Sequence, residues 1–199
     1  MAANSQHEVA YDNVLMPVGK PSLLLHCCCA PCAGYVLERL LPHYGITILF
    51  YNPNIQPREE YDRRAAEFNK LTAFWESSGS VGFVLCDYNA DCFEAVAEPF
   101  FDEAEGGRRC RACFELRIAE TVKRAIEGGF DFCTTTLSVS PHKNALLLNE
   151  IGDRLAGEMG ARFLSADFKK RDGYKRSVEL SKHLGLYRQT YCGCAASNK

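Results

Sequence analysis

The sequence predicts an α/β fold, a parallel sheet of roughly five strands with helices on both faces. Two observations carry that expectation. Five short runs rich in apolar, β-branched and aromatic residues recur along the chain. Between them lie longer stretches whose apolar residues repeat at helical spacing. The resulting order, β-α-β-α-β-(α)-α-β-α-β-α, is that of crossover units rather than hairpins. A chain of 199 residues, 47% of them hydrophobic, has material for a real core in one domain.

Each element has a local reason. Residues 22–27 form the first strand, led by Leu23, Leu24 and Leu25. Residues 33–41 follow as a helix with Val36, Leu37, Leu40 and Leu41 on one face, and Pro42 ends it. Residues 46–51 are the second strand. Asn52-Pro53-Asn54 then turns the chain into a helix over 57–78 that starts at Pro57. Residues 81–86 are the third strand. The stretch 91–105 supplies a short helix and then a loop at Gly106-Gly107. A helix over 111–127 is stopped by Gly128-Gly129. Residues 131–136 are the fourth strand, 141–159 a helix, and 162–165 a short fifth strand. The last helix covers 173–184 and ends at Gly185. Residues 1–20 are polar and read as a flexible amino-terminal arm, which leaves 21–199 as a single domain.

Loops that leave the carboxyl ends of parallel strands open on one edge of the sheet. The first such loop carries Cys28, Cys29 and Cys32, and the second Asn52 and Asn54. The fourth carries residues 137–143 and the fifth 166–172. The chemistry is therefore expected on that rim, where the cysteine run marks the place.

The net charge is −2, but its distribution is uneven. Residues 87–105 hold seven acids and no base, while 162–199 hold nine bases against three acids, a net +6. A basic stretch of that kind suits a polyanion such as RNA, or is simply a solvated face. No run of 18 apolar residues and no secretory leader pattern is present. The expected compartment is the reducing cytoplasm, with no membrane contact. There, clustered cysteines hold metals or do redox work more often than they form structural disulfides.

Eleven cysteines are present, and seven fall into sets with ligand-like spacing. These are Cys28-Cys29-x-x-Cys32, Cys110-x-x-Cys113 and Cys192-x-Cys194. Residues i and i+3 share one face of a helical turn, so Cys110 and Cys113 can aim at one centre. The helix amino terminus favours thiolates there, and Arg108, Arg109 and Arg111 are expected to lower the thiol pKa values further. Gly193 allows a tight turn between Cys192 and Cys194. Cys28 and Cys29 are adjacent at a strand end, so their side chains are expected to diverge and to serve two metal centres. Four sulfurs complete a zinc site or a cubane cluster, and three with an open position suit a catalytic metal. The competing reading is one zinc on four thiols, with the rest buried in the core. Cys86 and Cys133 fit that role, and Cys27 reads as the last strand residue. A simple dithiol exchange motif at Cys29 and Cys32 is weakened by the neighbouring thiols.

The chain resembles the QueH-type epoxyqueuosine reductases. The resemblance is carried by Leu25-His26-x-Cys28-Cys29-Ala30-Pro31-Cys32, by Phe50-Tyr51-Asn52-Pro53-Asn54-Ile55 and by Arg109-Cys110-x-x-Cys113-Phe114-Glu115-Leu116-Arg117. It continues through Thr135-Thr136-Leu137-Ser138-Val139-Ser140-Pro141 with Lys143-Asn144, and through Asp167-Phe168-Lys169-Lys170. It ends with Tyr187-Arg188-Gln189 and Tyr191-Cys192-Gly193-Cys194. It spans about residues 22–197.

The resemblance implies a Rossmann-like three-layer fold with a metal site at the carboxyl ends of the strands. It implies reduction of epoxyqueuosine to queuosine at the wobble position of tRNA, the last step of queuosine synthesis. The implied cofactors are a [4Fe-4S] cluster and an adjacent open metal ion, iron, held by Cys28, Cys29, Cys32, Cys110, Cys113, Cys192 and Cys194. Cys28 and Cys32 are expected on the open metal. Some family members carry Asp at the position of Cys32. Tyr51, Asn52, Ser138, Lys143, Lys169, Lys170 and Arg176 are the candidate substrate contacts, with Tyr51, Asp167 and His142 as rim groups able to carry a proton. Tyr187 and Tyr191 either stack on unpaired bases or pack the carboxyl end. His26, a lone histidine at a strand end, reads as structural. The partners expected are tRNA and a separate electron donor, with the chain a monomer or weak oligomer. The competing activities are an iron–sulfur tRNA thiolase, which would need a phosphate-binding loop where Cys28–Cys32 stands, and a zinc-stabilised RNA-binding module.

Overall fold

The computed structural model describes residues 9–11, 14–16, 19–76 and 81–197. Four parallel strands form the main sheet: β3 (Ser22–His26), β4 (Gly45–Phe50), β5 (Gly82–Leu85) and β6 (Phe132–Thr135). Their spatial order is β5-β4-β3-β6. The chain builds outward from β3 through β4 to β5, then crosses back to lay β6 on the other side of β3. That reversal is the topological switch point of a doubly wound sheet, where such folds open a crevice. Registers are regular, with Leu25 opposite Ile48 on one side and Thr134 on the other.

The strand pattern explains the layers. Leu23 and Leu25 face one side of the sheet and Leu24 the other, as a period of two requires. On the first side, helices α1 (Ala30–Leu40), α2 (Arg58–Trp75) and α6 (Gly173–His183) bury Val36, Leu37, Phe68, Leu71 and Leu180 with Ile46, Ile48 and Phe50. On the second, α4 (Arg108–Glu127) and α5 (Ala145–Met159) bury Ile118, Val122, Leu148 and Ile151 with Leu49 and Cys133. The short helix α3 (Asp91–Ala97) packs on α4 through Phe93 and Ala97, beside Cys113 and Cys194.

The fifth strand is corrected. Residues 162–165 make a single parallel bridge, Cys133 to Phe163, and no ladder. Side chains take the groups that a longer ladder would use. The Ala166 N–H donates to Asn149 Oδ1 at 3.1 Å, and the Leu164 carbonyl accepts from Thr134 Oγ1 at 2.7 Å.

Three helix starts also differ from the sequence expectation, and each matters to the site. Helix α1 begins at Ala30, because Pro31 is tolerated in a first turn. Cys32 therefore stands on that turn rather than in a loop. Helix α4 begins at Arg108, which places both Cys110 and Cys113 inside it. Helix α5 begins at Ala145, after a 3-10 turn over Thr136–Val139, and its cap is Asn144. Asn144 Oδ1 accepts from the N–H groups of Leu146 and Leu147.

Within the expected amino-terminal arm, β1 (Val9–Tyr11) and β2 (Val14–Met16) pair antiparallel. The remainder of that arm through residue 18, like the expected end of the second helix at residue 78, lies outside the described residues.

Candidate functional site

The thiols reach one place from three directions. The first group leaves the carboxyl end of β3. Cys29 caps α1 in extended conformation, and Cys32 follows on its first turn. The second group stands on the opening turns of α4, with Gly106 N–H 3.2 Å from Cys110 Sγ. The third lies on the carboxyl-terminal segment after α6. There the Gly193 carbonyl accepts from Gln56 N–H at 2.8 Å, and Gly193 adopts φ +124. A Cβ at that glycine would stand 3.0 Å from Ile55 Cγ1 and 3.2 Å from an Arg64 guanidinium nitrogen.

Arg64 on α2 clamps this last segment. It is fully buried, donates to the Cys192 and Tyr191 carbonyls at 3.0 and 3.2 Å, and pairs with Glu60 at 2.6 Å. Tyr187 adds an N–H to Glu67 and its hydroxyl to Glu60, and Tyr191 OH donates to the Gln56 carbonyl. Both tyrosines pack the carboxyl end by these bonds, although Tyr191 also reaches the cavity described next.

Between the first and third groups lies a cavity of about 490 Å³ at the switch point. Cys28, Cys32 and Cys192 line it, with Thr136, Lys143 and Gln189. Two cations lie among the thiols. Arg117 is buried, donates to Asn52 Oδ1 at 2.6 Å and lies 3.9 Å from Cys113 Sγ. Its Nε has no partner. The thiols of Cys113, Cys28 and Cys192 all lie within electrostatic reach of Arg117. Burial works against the Lys143 charge, yet Cys192, Cys28 and Cys32 hold its pKa above the ordinary lysine value. Among the described residues neither cation has a carboxylate partner. Glu105 also lines the cavity but pairs with neither. Two cations without an ion pair among thiols fit an anionic thiolate-bound group, and the soft donor set suits iron–sulfur chemistry. Among the described residues no three His, Cys, Asp or Glu side chains converge closely enough to hold one ion.

Two expectations are overturned here. Cys28 and Cys29 do not diverge; their sulfurs stand 3.9 Å apart, because Cys29 already belongs to the helix cap. The arginines around Cys110 do not bring its thiol pKa below the ordinary value: burial outweighs the downward pull of the Arg109 charge. Burial pushes Cys110 up and Cys113 up to about 11. The guanidiniums point elsewhere: Arg108 to the Glu103 carboxylate, Arg109 to the carbonyls of Phe101 and Glu103, Arg111 to Glu115 and Glu150. Cys28 also lies well above the ordinary thiol value, through its contact with Cys29 and then burial.

Of the expected substrate contacts, the cavity lining contains Lys143. Asn52 is buried and fully used, donating to the Cys27 carbonyl at 2.8 Å while it holds Arg117. Tyr51 is half-buried against Cys86, Cys92 and Glu120, with its pKa raised to about 12 chiefly by burial. Ser138 is buried and accepts from Phe168 N–H. Lys169 staples that loop through the Ser138 and Lys143 carbonyls and Asp167. Lys170 is exposed, and Arg176 is exposed and paired with Glu38 at 2.7 Å. His142 lines the cavity.

His26 is structural. It is wholly buried between Thr135 Oγ1 (2.8 Å) and the Tyr51 carbonyl (3.1 Å). The carbonyl can only accept, so Nε2 carries the proton and Nδ1 accepts from the threonine. Burial, and then the Arg117 charge, push its pKa down to about 3 and keep it neutral. Cys27 is likewise buried, with its thiol toward the Leu25 carbonyl. The residue the sequence reading passed over is Arg117, although its i,i+4 spacing from Cys113 already placed the two on one helix face.

The fold and site define a parallel α/β protein with a cysteine- and cation-lined cavity beside its switch point. Residues 23–199 match the family model described as Epoxyqueuosine reductase QueH. The chain is 38% identical over 211 residues to the epoxyqueuosine reductase QueH of Streptococcus pyogenes serotype M1, covering 98% of this chain and 81% of that protein. It is 40% identical over 204 residues to the same-named protein of Staphylococcus aureus, covering 94% and 83%. The Thermotoga maritima protein of that name is 34% identical over 176 residues, covering 88% and 90%. The chain belongs to the epoxyqueuosine reductase QueH family, and so to the oxidoreductases. Among the described residues no helix is long and apolar enough to cross a membrane.

Proposed function

We propose that this protein reduces the epoxide of epoxyqueuosine at the wobble position of tRNA to the alkene of queuosine. The reaction consumes two electrons and two protons and releases water. It takes place in the cytoplasm, on a monomer or weak oligomer, with electrons from a separate donor. The observation that carries the reading is the pair of cations, Arg117 and Lys143, placed among thiols without carboxylate partners among the described residues. That environment favours a negatively charged iron–sulfur group over a neutral buried cysteine patch.

Cys28, Cys29, Cys32, Cys110, Cys113, Cys192 and Cys194 would hold a [4Fe-4S] cluster and an adjacent open iron. Cys29, Cys110, Cys113 and one of Cys192 and Cys194 are assigned to the cluster, and Cys28, Cys32 and the other to the iron. With the Cys28 and Cys29 sulfurs side by side, this division rests on Cys28 and Cys32 lining the cavity. When bound, the pair would supply single electrons and a Lewis acid for the epoxide oxygen.

The chain's own groups do the rest. Asn52 holds Arg117 in register with Cys113, and Arg117 balances thiolate charge. Lys143 presents an ammonium to the cavity that contains Cys28 and Cys32, where it stabilises developing negative charge on oxygen. His142 stands on the same lining as a proton carrier. Ser138 and Lys169 fix the loop that bears Lys143. Lys170, Arg176 and the half-buried Tyr51 remain assigned to tRNA contacts; Arg176 would exchange Glu38 for a phosphate.

The test is anaerobic reconstitution with iron and sulfide. A brown protein with labile sulfide is expected, and a Cys32→Ala variant should keep the cluster's visible absorption while losing activity. A colourless protein that takes one zinc would contradict the cofactor reading.

A further inference from the structure

The geometry points to Gln189 as the residue that reads the base: its unpaired carboxamide, on the cavity that contains Cys28, Cys32 and Lys143, takes the N1–H and O6 edge of a guanine-type base. The inference rests on the function proposed above, whose substrate carries a 7-deazaguanine.

Gln189 differs from its neighbours on the carboxyl-terminal segment. Tyr187 spends its hydroxyl on Glu60 and Tyr191 on the Gln56 carbonyl. Arg188 donates to the Ser177 carbonyl and Ser181 Oγ and lies over the Tyr174 ring. Gln189 makes no such bond among the described residues, and its Oε1 is buried with no hydrogen-bond partner. Leaving a buried acceptor unpaired is costly, so folded chains retain such groups where a ligand completes them. The same side chain lines the cavity, whose volume of about 490 Å³ lies in the range of small-molecule sites.

A carboxamide has one acceptor and two donors on adjacent atoms. The guanine edge offers N1–H as donor beside O6 as acceptor, so the two pair in a bidentate manner. Adenine offers an acceptor at N1 and a donor on the exocyclic nitrogen. It can also pair with a carboxamide, but only with the amide turned over. The atom left unpaired is the acceptor Oε1, which meets guanine N1–H and opposes the lone pair of adenine N1. The carboxamide as it stands therefore decides between them, with Lys143 on the same lining as a further donor near O6. An unpaired base in an anticodon loop is recognised in this way, by its Watson–Crick edge.

The experiment uses the reconstituted full chain without reductant, so that no turnover occurs. Affinity is measured for anticodon stem-loop RNAs with guanosine or adenosine at the wobble position. Wild type should prefer guanosine by about tenfold. Gln189→Met should bring the ratio near one while leaving the adenosine affinity unchanged. Gln189→Glu, which keeps an acceptor and loses the donor, should fall between. A wild-type ratio near one, or a full preference retained by Gln189→Met, overturns the inference. Iron content and melting temperature confirm that each variant is loaded and folded. Failure of the reductase reading is separate: it would appear as no queuosine formed by wild type, whatever the binding ratio.

Discussion

Arg117 carries the largest consequence at the scale of one residue. A buried guanidinium bonded to a neutral amide and facing a thiol is destabilising unless negative charge arrives. The account therefore expects Arg117→Met to spare the metal-free fold and to weaken cluster retention by about 10- to 100-fold, the usual cost of removing a group that supports metal ligands. Iron per chain after gel filtration measures this. Full retention of iron by the variant would show that the cation does not serve the thiols. The sequence singles out seven cysteines as candidate ligands because paired spacings stand out among eleven. It did not expose Arg117 or Gln189, since a single Arg in an amphipathic helix and a single Gln in a loop look like solvated residues. Asn52 illustrates the reverse error. Its place in a strand-end loop suggested a rim contact, but burial turned it into the bracket for Arg117.

At the scale of elements, the carboxyl-terminal segment behaves as a strap carrying Cys192 and Cys194, and α2 is its buckle. Arg64→Met removes donors to two strap carbonyls and leaves Glu60 without its buried partner. It should lower unfolding free energy by roughly 2–4 kcal/mol and reduce iron retention. Gly193→Ala should act in the same direction through its left-handed backbone and the crowding against Ile55. Unchanged iron content in both variants would dismiss the strap. Glu67 gives the strap a pH dependence. Burial tends to raise its pKa, but the Lys70 bond and the Tyr187 N–H prevail and hold it below the usual carboxylate value. A depressed carboxylate pKa stabilises the fold above the unfolded-state value, and that contribution is lost as pH falls through the folded one. Between about pH 5 and pH 3, wild type should therefore lose stability faster than Glu67→Gln in urea titrations; parallel curves would remove Glu67 from the account.

The strand and helix order was legible because hydrophobic period distinguishes the two. The boundaries were less so, since they depend on which side chain caps the backbone. Pro31 and Asn144 moved two helix starts, and Asn149 and Thr134 reduced the fifth strand to a bridge.

For the whole molecule, the order β5-β4-β3-β6 explains why these thiols meet. The loop after β3 and the loop after β6 part at the switch point, and the crevice between them is closed by α4 and the strap. The first and third cysteine groups thereby share one cavity, through Cys28, Cys32 and Cys192. The second stands behind it through Arg117, which lines the cavity and lies 3.9 Å from Cys113 Sγ. The alternation of elements made the parallel sheet and its strand-end edge predictable; the placement of Arg117 and Lys143 beside the thiols required the packed structure. The most direct measurement is a single-turnover assay of the anaerobically reconstituted protein, with a chemical reductant and tRNA containing epoxyqueuosine. Conversion of epoxyqueuosine to queuosine after two electrons per site is expected, with none by metal-free protein. A fully loaded, reduced protein that forms no queuosine would contradict it.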